Sequence, residues 1–164
     1  MLTLPALPKP LPFIVSRLPG FPVSVVFVTV FNRLAWRSLS DLDWASLQGK
    51  RFCVQVSNLG SRSYFSVTAK GLRPEMADHA DVTFTATSED FVRLALRLED
   101  PDTLFFNRRL LIEGNTDLGL TVKNMLDTID LDTLLAAMPL PIAHLLTSLR
   151  KRMVETEMAI GHPA

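Results

Sequence analysis

Between Arg51 and Thr87 apolar and polar residues alternate with a period of two. Phe52, Val54 and Val56 are separated by Cys53 and Gln55, Phe65, Val67 and Ala69 by Ser66 and Thr68, and Val82, Phe84 and Ala86 by Thr83 and Thr85. Successive side chains of a strand point to opposite faces, so each run predicts a strand with one apolar and one wet face. The spans are Arg51 to Ser57, Ser63 to Ala69 and Asp81 to Thr87, with Asn58-Leu59-Gly60 as a hairpin loop between the first two.

Elsewhere the spacing lengthens to that of helices. One is predicted from Ser24 to Ser38, and a short one from Asp41 to Leu47, capped by Asp41 and ended by Gly49. Ser88-Glu89-Asp90 opens another, with Phe91, Leu94, Ala95 and Leu98 on one side. Arg108 to Glu113 reads as a further strand, Gly114 and Asn115 as a turn, and Thr116 to Ile129 as a helix carrying Leu118, Val122, Met125 and Ile129 on one side. After Pro139 and Pro141 a last amphipathic helix runs to about Ala159. This order predicts an α+β fold, an antiparallel sheet covered on one face by helices, with helical extensions at both ends. The expected division is a proline- and leucine-rich arm with the first helix over 1–40, the sheet domain over 41–138 and the terminal helix over 139–164.

A chain of 164 residues suits one domain with extensions. Its composition is 48% apolar, more than an ordinary core needs, which leaves side chains to face a ligand or a membrane. The longest apolar run, Phe21 to Phe31, is followed by Asn32 and Arg33, and about 20 residues are needed to span a bilayer. Prolines at 5, 8, 10, 12, 19 and 22 interrupt any helix in the arm, and an early positive region with a cleavage site is missing, so secretion is not expected. The lone Cys53 excludes an internal disulfide and a cysteine zinc site and suits a reducing, cytoplasmic compartment.

Formal net charge is zero, yet residues 1–74 carry nine Lys/Arg against Asp41 and Asp43, and the remainder carries eight against fifteen acids. The halves are thus +7 and −7. Either they pair with each other, or the basic half faces anionic lipid or another acidic surface. No compact Lys/Arg run interleaved with aromatics supports nucleic-acid binding.

Catalytic chemistry would have to draw on Cys53, His79, His144, Asp78 and Asp81, and no local signature joins a Cys to a His. Asp78, His79 and Asp81 lack a further ligand at metal-site spacing. Gly114 and Gly119 read as turn and close-packing residues, because no phosphate-binding glycine motif surrounds them. Neither a catalytic residue, a metal nor a cofactor is expected.

The stretch from Asp100 to Asn124 carries a resemblance. Asp100-Pro101-Asp102-Thr103-Leu104-Phe105-Phe106, Arg108-Arg109-Leu110, Ile112-Glu113-Gly114, Leu118-Gly119-Leu120 and Val122-Lys123-Asn124 closely resemble the accessory factors of bacterial ubiquinone biosynthesis within the sterol carrier protein lipid-binding family. Agreement is strong over about 100–131 and weaker back to about Trp44. Asn115 stands where an acidic residue is common in that turn. The resemblance implies a non-catalytic lipid carrier in oxygen-independent, anaerobic ubiquinone synthesis, working beside iron-sulfur hydroxylases of the UbiU and UbiV type. Such a carrier has a physical rationale, since polyprenyl quinone precursors are nearly insoluble and each buried methylene is worth about 0.8 kcal/mol.

Candidate lipid-binding residues are Phe84, Phe91, Leu94, Leu98, Leu104, Phe105, Phe106, Leu120 and Met125, on strand and helix faces that should converge between the layers; ordinary core packing is the plain alternative for each. Leu104, Phe105 and Phe106 stand out, because three consecutive bulky side chains cannot all face one core. Arg108 and Arg109 are candidates for a headgroup phosphate or ring carboxylate, with pairing to nearby carboxylates as the alternative. A different class of function remains open. The apolar arm, the Phe21 to Phe31 run and the last helix with Arg150-Lys151-Arg152 also suit a peripheral membrane scaffold that recruits enzymes without enclosing a lipid, and apolar termini suit a homodimer.

Overall fold

The computed structural model describes residues 20–40, 42–76, 78–128, 130–136 and 138–160. The arm before residue 20 lies outside the described residues, as do Asp41 and Ile129 of the predicted helices. The alternating segments close into one five-stranded sheet, ordered β3-β2-β1-β4-β5. Its strands are β1 (Arg51–Val56), β2 (Ser61–Thr68), β3 (Gly71–Pro74), β4 (Val82–Ala86) and β5 (Leu111–Gly114). Register sets Phe52 beside Phe65 and Val82, and Val54 beside Ser63 and Phe84, so the apolar sets of three strands share one face.

The class is α+β, as the pattern predicts, but the sheet is mixed rather than wholly antiparallel. β1 and β4 run parallel, while β1–β2, β2–β3 and β4–β5 are antiparallel. Alternation tells which face a side chain takes and is silent on strand direction. The direction follows from β3, which is too short to show a period and is ended by Pro74. β3 takes the free edge of β2, so the chain returns past the start of β1 and lays β4 on its far side in the same sense. Two contacts fix the landing: the Asp81 amide donates to the Arg51 carbonyl at 2.8 Å, and the Arg51 amide donates to Asp81 Oδ2 at 2.8 Å.

The first helical run divides into α1 (Gly20–Leu34) and α2 (Trp36–Leu39), broken at Ala35, whose φ of −113° leaves the helical range. α1 packs along β2 and β3. Ser24 Oγ accepts from the Tyr64 amide at 2.8 Å, and the Asn32 amide group both donates to the Leu72 carbonyl at 2.8 Å and accepts from the Leu72 amide at 2.9 Å. The helix predicted over Asp41 to Leu47 is a single 3₁₀ turn, Ala45–Leu47. It buries Leu47 and Trp44, whose indole donates to the Leu39 carbonyl at 2.6 Å.

α3 (Ser88–Ala95) is capped by Thr87, whose hydroxyl oxygen accepts from the Asp90 amide at 3.1 Å. It stops before Leu98, because Arg97 takes a left-handed φ of 52°. The apolar cluster that follows forms its own helix, α4 (Pro101–Phe106), with Asp100 as cap and Pro101 in the first turn, where a missing N–H costs nothing. Arg108, at φ 56°, belongs to the turn after α4, so β5 starts later than the predicted strand. Asn115 caps α5 (Thr116–Asp127), followed by α6 (Leu131–Ala136) and α7 (Leu140–Ile160). Gly119 is buried where α5 crosses the sheet; a Cβ there would lie 2.3 Å from Ile112 Cγ2, so any larger residue requires the Ile112 side chain to shift. Among the described residues, no helix is long and apolar enough to cross a membrane.

Candidate functional site

The helices do not fill the space above the apolar face of the sheet. A cavity of about 580 Å³ remains. Phe52, Val54, Phe65 and Phe84 form its floor, and Phe27 and Phe31 of α1 form one wall. Phe91 and Leu94 of α3 and Val122 and Leu126 of α5 form others, and Leu134 and Leu135 of α6 roof it with Leu146 of α7. The aromatic lining is continuous: Phe27 lies 6.2 Å from Phe31 and 5.4 Å from Phe65, which lies 5.8 Å from Phe52, centroid to centroid. Such a surface offers dispersion and no hydrogen bonds, which suits a hydrocarbon.

One end of the cavity is charged. Arg97, Lys123 and Asp127 contribute to the lining there. Lys123 Nζ donates to Asp102 Oδ1 at 2.5 Å, tying α5 to α4. Arg97 Nη1 donates to Asp127 Oδ1 at 2.9 Å and Nη2 to the Leu126 carbonyl, tying the α3–α4 turn to the end of α5. Asp100, Asp102 and Asp127 lie close together, and two of them are already engaged by these cations.

Residues 31–127 match the model of the SCP-2 sterol transfer family. The chain belongs to that family. Over 137 residues it is 36% identical to the ubiquinone biosynthesis accessory factor UbiT of Escherichia coli K12, covering 79% of each chain. Among solved structures it is similar to the UbiJ-SCP2 ubiquinone synthesis protein, at 18% identity over 65% of this chain and 94% of that one, with a TM-score of 0.49. It is also similar to sterol carrier protein 2 like 2 from Aedes aegypti, at 14% identity over 64% and 98%, with a TM-score of 0.45.

Within this SCP-2 domain, Phe84, Phe91 and Leu94 line the cavity, whereas Leu98, Leu104, Phe105, Phe106, Leu120 and Met125 lie off its lining. Leu104 is fully buried in a neighbouring cluster with Ala86 and Leu110. Met125 packs beneath α5 against the main core, and Leu98 and Leu120 are half-buried. Phe105 meets Phe106 edge-on at 5.9 Å, and Phe106 is 79% exposed. Arg108 and Arg109 also lie off the cavity. Arg109 is held by buried Asp90 and by Glu99 Oε1 at 2.5 Å; burial works against its charge, but these carboxylates outweigh it and raise its pKa. The cations at the cavity are instead Arg97 and Lys123. The latter sits on the Gly119, Val122, Leu126 side of α5, and its place on that stripe was the available signal. The spacing of Phe27 and Phe31, one turn apart, was a signal for the α1 wall.

The groups considered for catalysis are engaged separately. Cys53 is buried on the opposite face of the sheet beside Tyr64 and Thr83, and burial pushes its thiol pKa up. His79 Nε2 accepts from Arg51 at 2.6 Å, which leaves the proton on Nδ1 for Asp78 at 3.0 Å. That bond holds the exposed Asp78 carboxyl below its usual range. Asp81 receives the Arg51 amide instead, and His144 is exposed on α7.

Proposed function

We propose that this protein is a non-catalytic lipid-binding accessory factor of oxygen-independent ubiquinone biosynthesis. It holds prenylated quinone intermediates for ring-hydroxylating enzymes of the UbiU and UbiV type. The cavity carries this reading, and the similarity to UbiT points it toward ubiquinone. A methylene takes up about as much space as a water in the liquid, about 30 Å³, so 580 Å³ holds roughly twenty such groups. That is a substituted ring and its first isoprene units; the rest of a long tail stays with a membrane or a partner. The protein works in the cytoplasm and touches the membrane surface without spanning it.

The test is mass spectrometry of lipids that copurify, without detergent, from anaerobically grown cells. Prenylated quinone precursors are expected with the native chain and lost in Val54→Trp, which fills the cavity from its floor. Recovery of no lipid would overturn carriage. It would favour the second reading, a membrane scaffold, which the exposed apolar residues Val26 and Val30 of α1 and Leu140, Leu145 and Met158 of α7 support. Exposed Lys50, Arg51, Arg62, Lys70 and Arg73 suit an anionic surface in either case.

A further inference from the structure

Lys123 is an unusual component of this cavity. The residue is 8% exposed, it lines the charged end of a largely hydrocarbon-like space beside Arg97 and Asp127, and its ammonium ends on Asp102. An ammonium carries three donors, and Asp102 is its hydrogen-bond partner among the described residues. The Asp102 side chain is itself 51% exposed, so the pair straddles the rim, with the cation inside and the carboxylate toward water. Burying a cation with donors unmet is costly, and apolar replacement of such a pair is often neutral or stabilising. Stability alone therefore gives little reason for a lysine on the apolar stripe of α5. An oxygen arriving with a ligand would supply the missing acceptor.

We propose that Lys123 receives the oxygen-bearing head of the bound amphiphile. This rests on the carrier reading and adds an orientation to it: head at the rim formed by α4, α5 and the α3–α4 turn, tail along Phe52, Phe65 and Phe27. The ligand class is a long-chain molecule whose head presents an acceptor oxygen, either on an aromatic ring or in a phosphate ester. Arg97 is a positioning residue, because its bonds to Asp127 and the Leu126 carbonyl hold the rim in shape.

The experiment titrates the full chain with a farnesylated phenol, a lysophosphatidate and the headless hydrocarbon farnesane, read by fluorescence of Trp44, which lines the cavity. The native protein should bind at least one headed ligand about tenfold more tightly than farnesane, the gain expected from a hydrogen bond to a charged group. Lys123→Met should erase that preference by weakening the headed ligands far more than farnesane, and Lys123→Arg should restore most of it. A preference for the phenol assigns the oxygen to a ring, and one for the lysophosphatidate assigns it to a phospholipid; both support the role of Lys123. Asp102→Asn keeps the lysine, replaces its charged competitor by a weaker, neutral acceptor and should widen the preference, which covers the case of a methionine variant that does not fold. Equal losses for headed and headless ligands in Lys123→Met would make the residue merely structural. An unchanged preference in that variant, or a smaller one in Asp102→Asn, would also overturn the proposal. Farnesane binding without any preference for a head in the native protein would sink this inference and spare carriage, whereas uptake of none of the three would sink both.

Discussion

Single atoms decide several features of this molecule. At Gly119 a methyl group would meet Ile112 at 2.3 Å. Overpacking of this kind costs about 1–3 kcal/mol, against about 1 kcal/mol gained from the helix preference of alanine. Gly119→Ala should therefore lower the urea midpoint; a higher midpoint would show that Ile112 can swing clear. Cys53 makes a prediction in pH. Burial raises its pKa above the reference value of 9.0, so the folded chain keeps a proton that the unfolded chain releases. The stability this gives is complete below the unfolded pKa and is lost as pH rises through the folded one. Denaturation followed from pH 8 to 11 should show an alkaline decline that is shallower in Cys53→Ala.

Residue identities were also where the sequence was most and least readable. The period-two runs placed Phe52, Phe65 and Phe84 on one face, because alternation is a direct record of strand geometry. Lys123 was overlooked despite its place beside Gly119, Val122 and Leu126, since a charge on an amphipathic helix normally marks the solvent side, and its pairing depends on α4 bringing Asp102 across. Pairing with a nearby carboxylate is the favoured reading of Arg109 from the sequence, but its partners, Asp90 and Glu99, are visible only in the fold.

At the scale of elements, the hydrogen-bonded tie between α1 and β3 among the described residues is made by Asn32, beside the apolar packing of Phe31 and Val28 in the cluster that holds Leu72. Asn32 satisfies both the amide and the carbonyl of Leu72. Leaving two partly buried backbone groups without partners costs about 1–3 kcal/mol each. Asn32→Ala should destabilise the fold by about that amount or more and speed hydrogen exchange at the Leu72 amide. Unchanged exchange would mean that water takes over the role. β3, α4 and the six-residue α6 were the elements that periodicity missed. Four residues ending in Pro74 are too few to show alternation, and Leu104-Phe105-Phe106 has no polar residue to mark a turn, although Asp100 and Pro101 do carry a helix-start signal. The mixed sheet follows from the first of these, because an unseen strand changes where the next one must land.

At the scale of the whole molecule, the cavity couples stability to its contents. A ligand bound at a hundred times its dissociation constant adds about 2.7 kcal/mol. Melting temperature should thus rise with added prenylated phenol in the native chain and stay flat in Val54→Trp. A matching rise in that variant would place the ligand elsewhere.

The parallel β1–β4 pair has a consequence for how the chain reaches this state. β1 and β2 meet across a tight turn, but β4 reaches β1 only after the chain has doubled back past Arg51. Non-local pairing of this kind slows folding. The hairpin should therefore be ordered in the transition state, with Val82 and Phe84 joining on its far side. Until they do, the aromatic floor stands uncovered, and that interval is when refolding at high concentration will lose chains to aggregation.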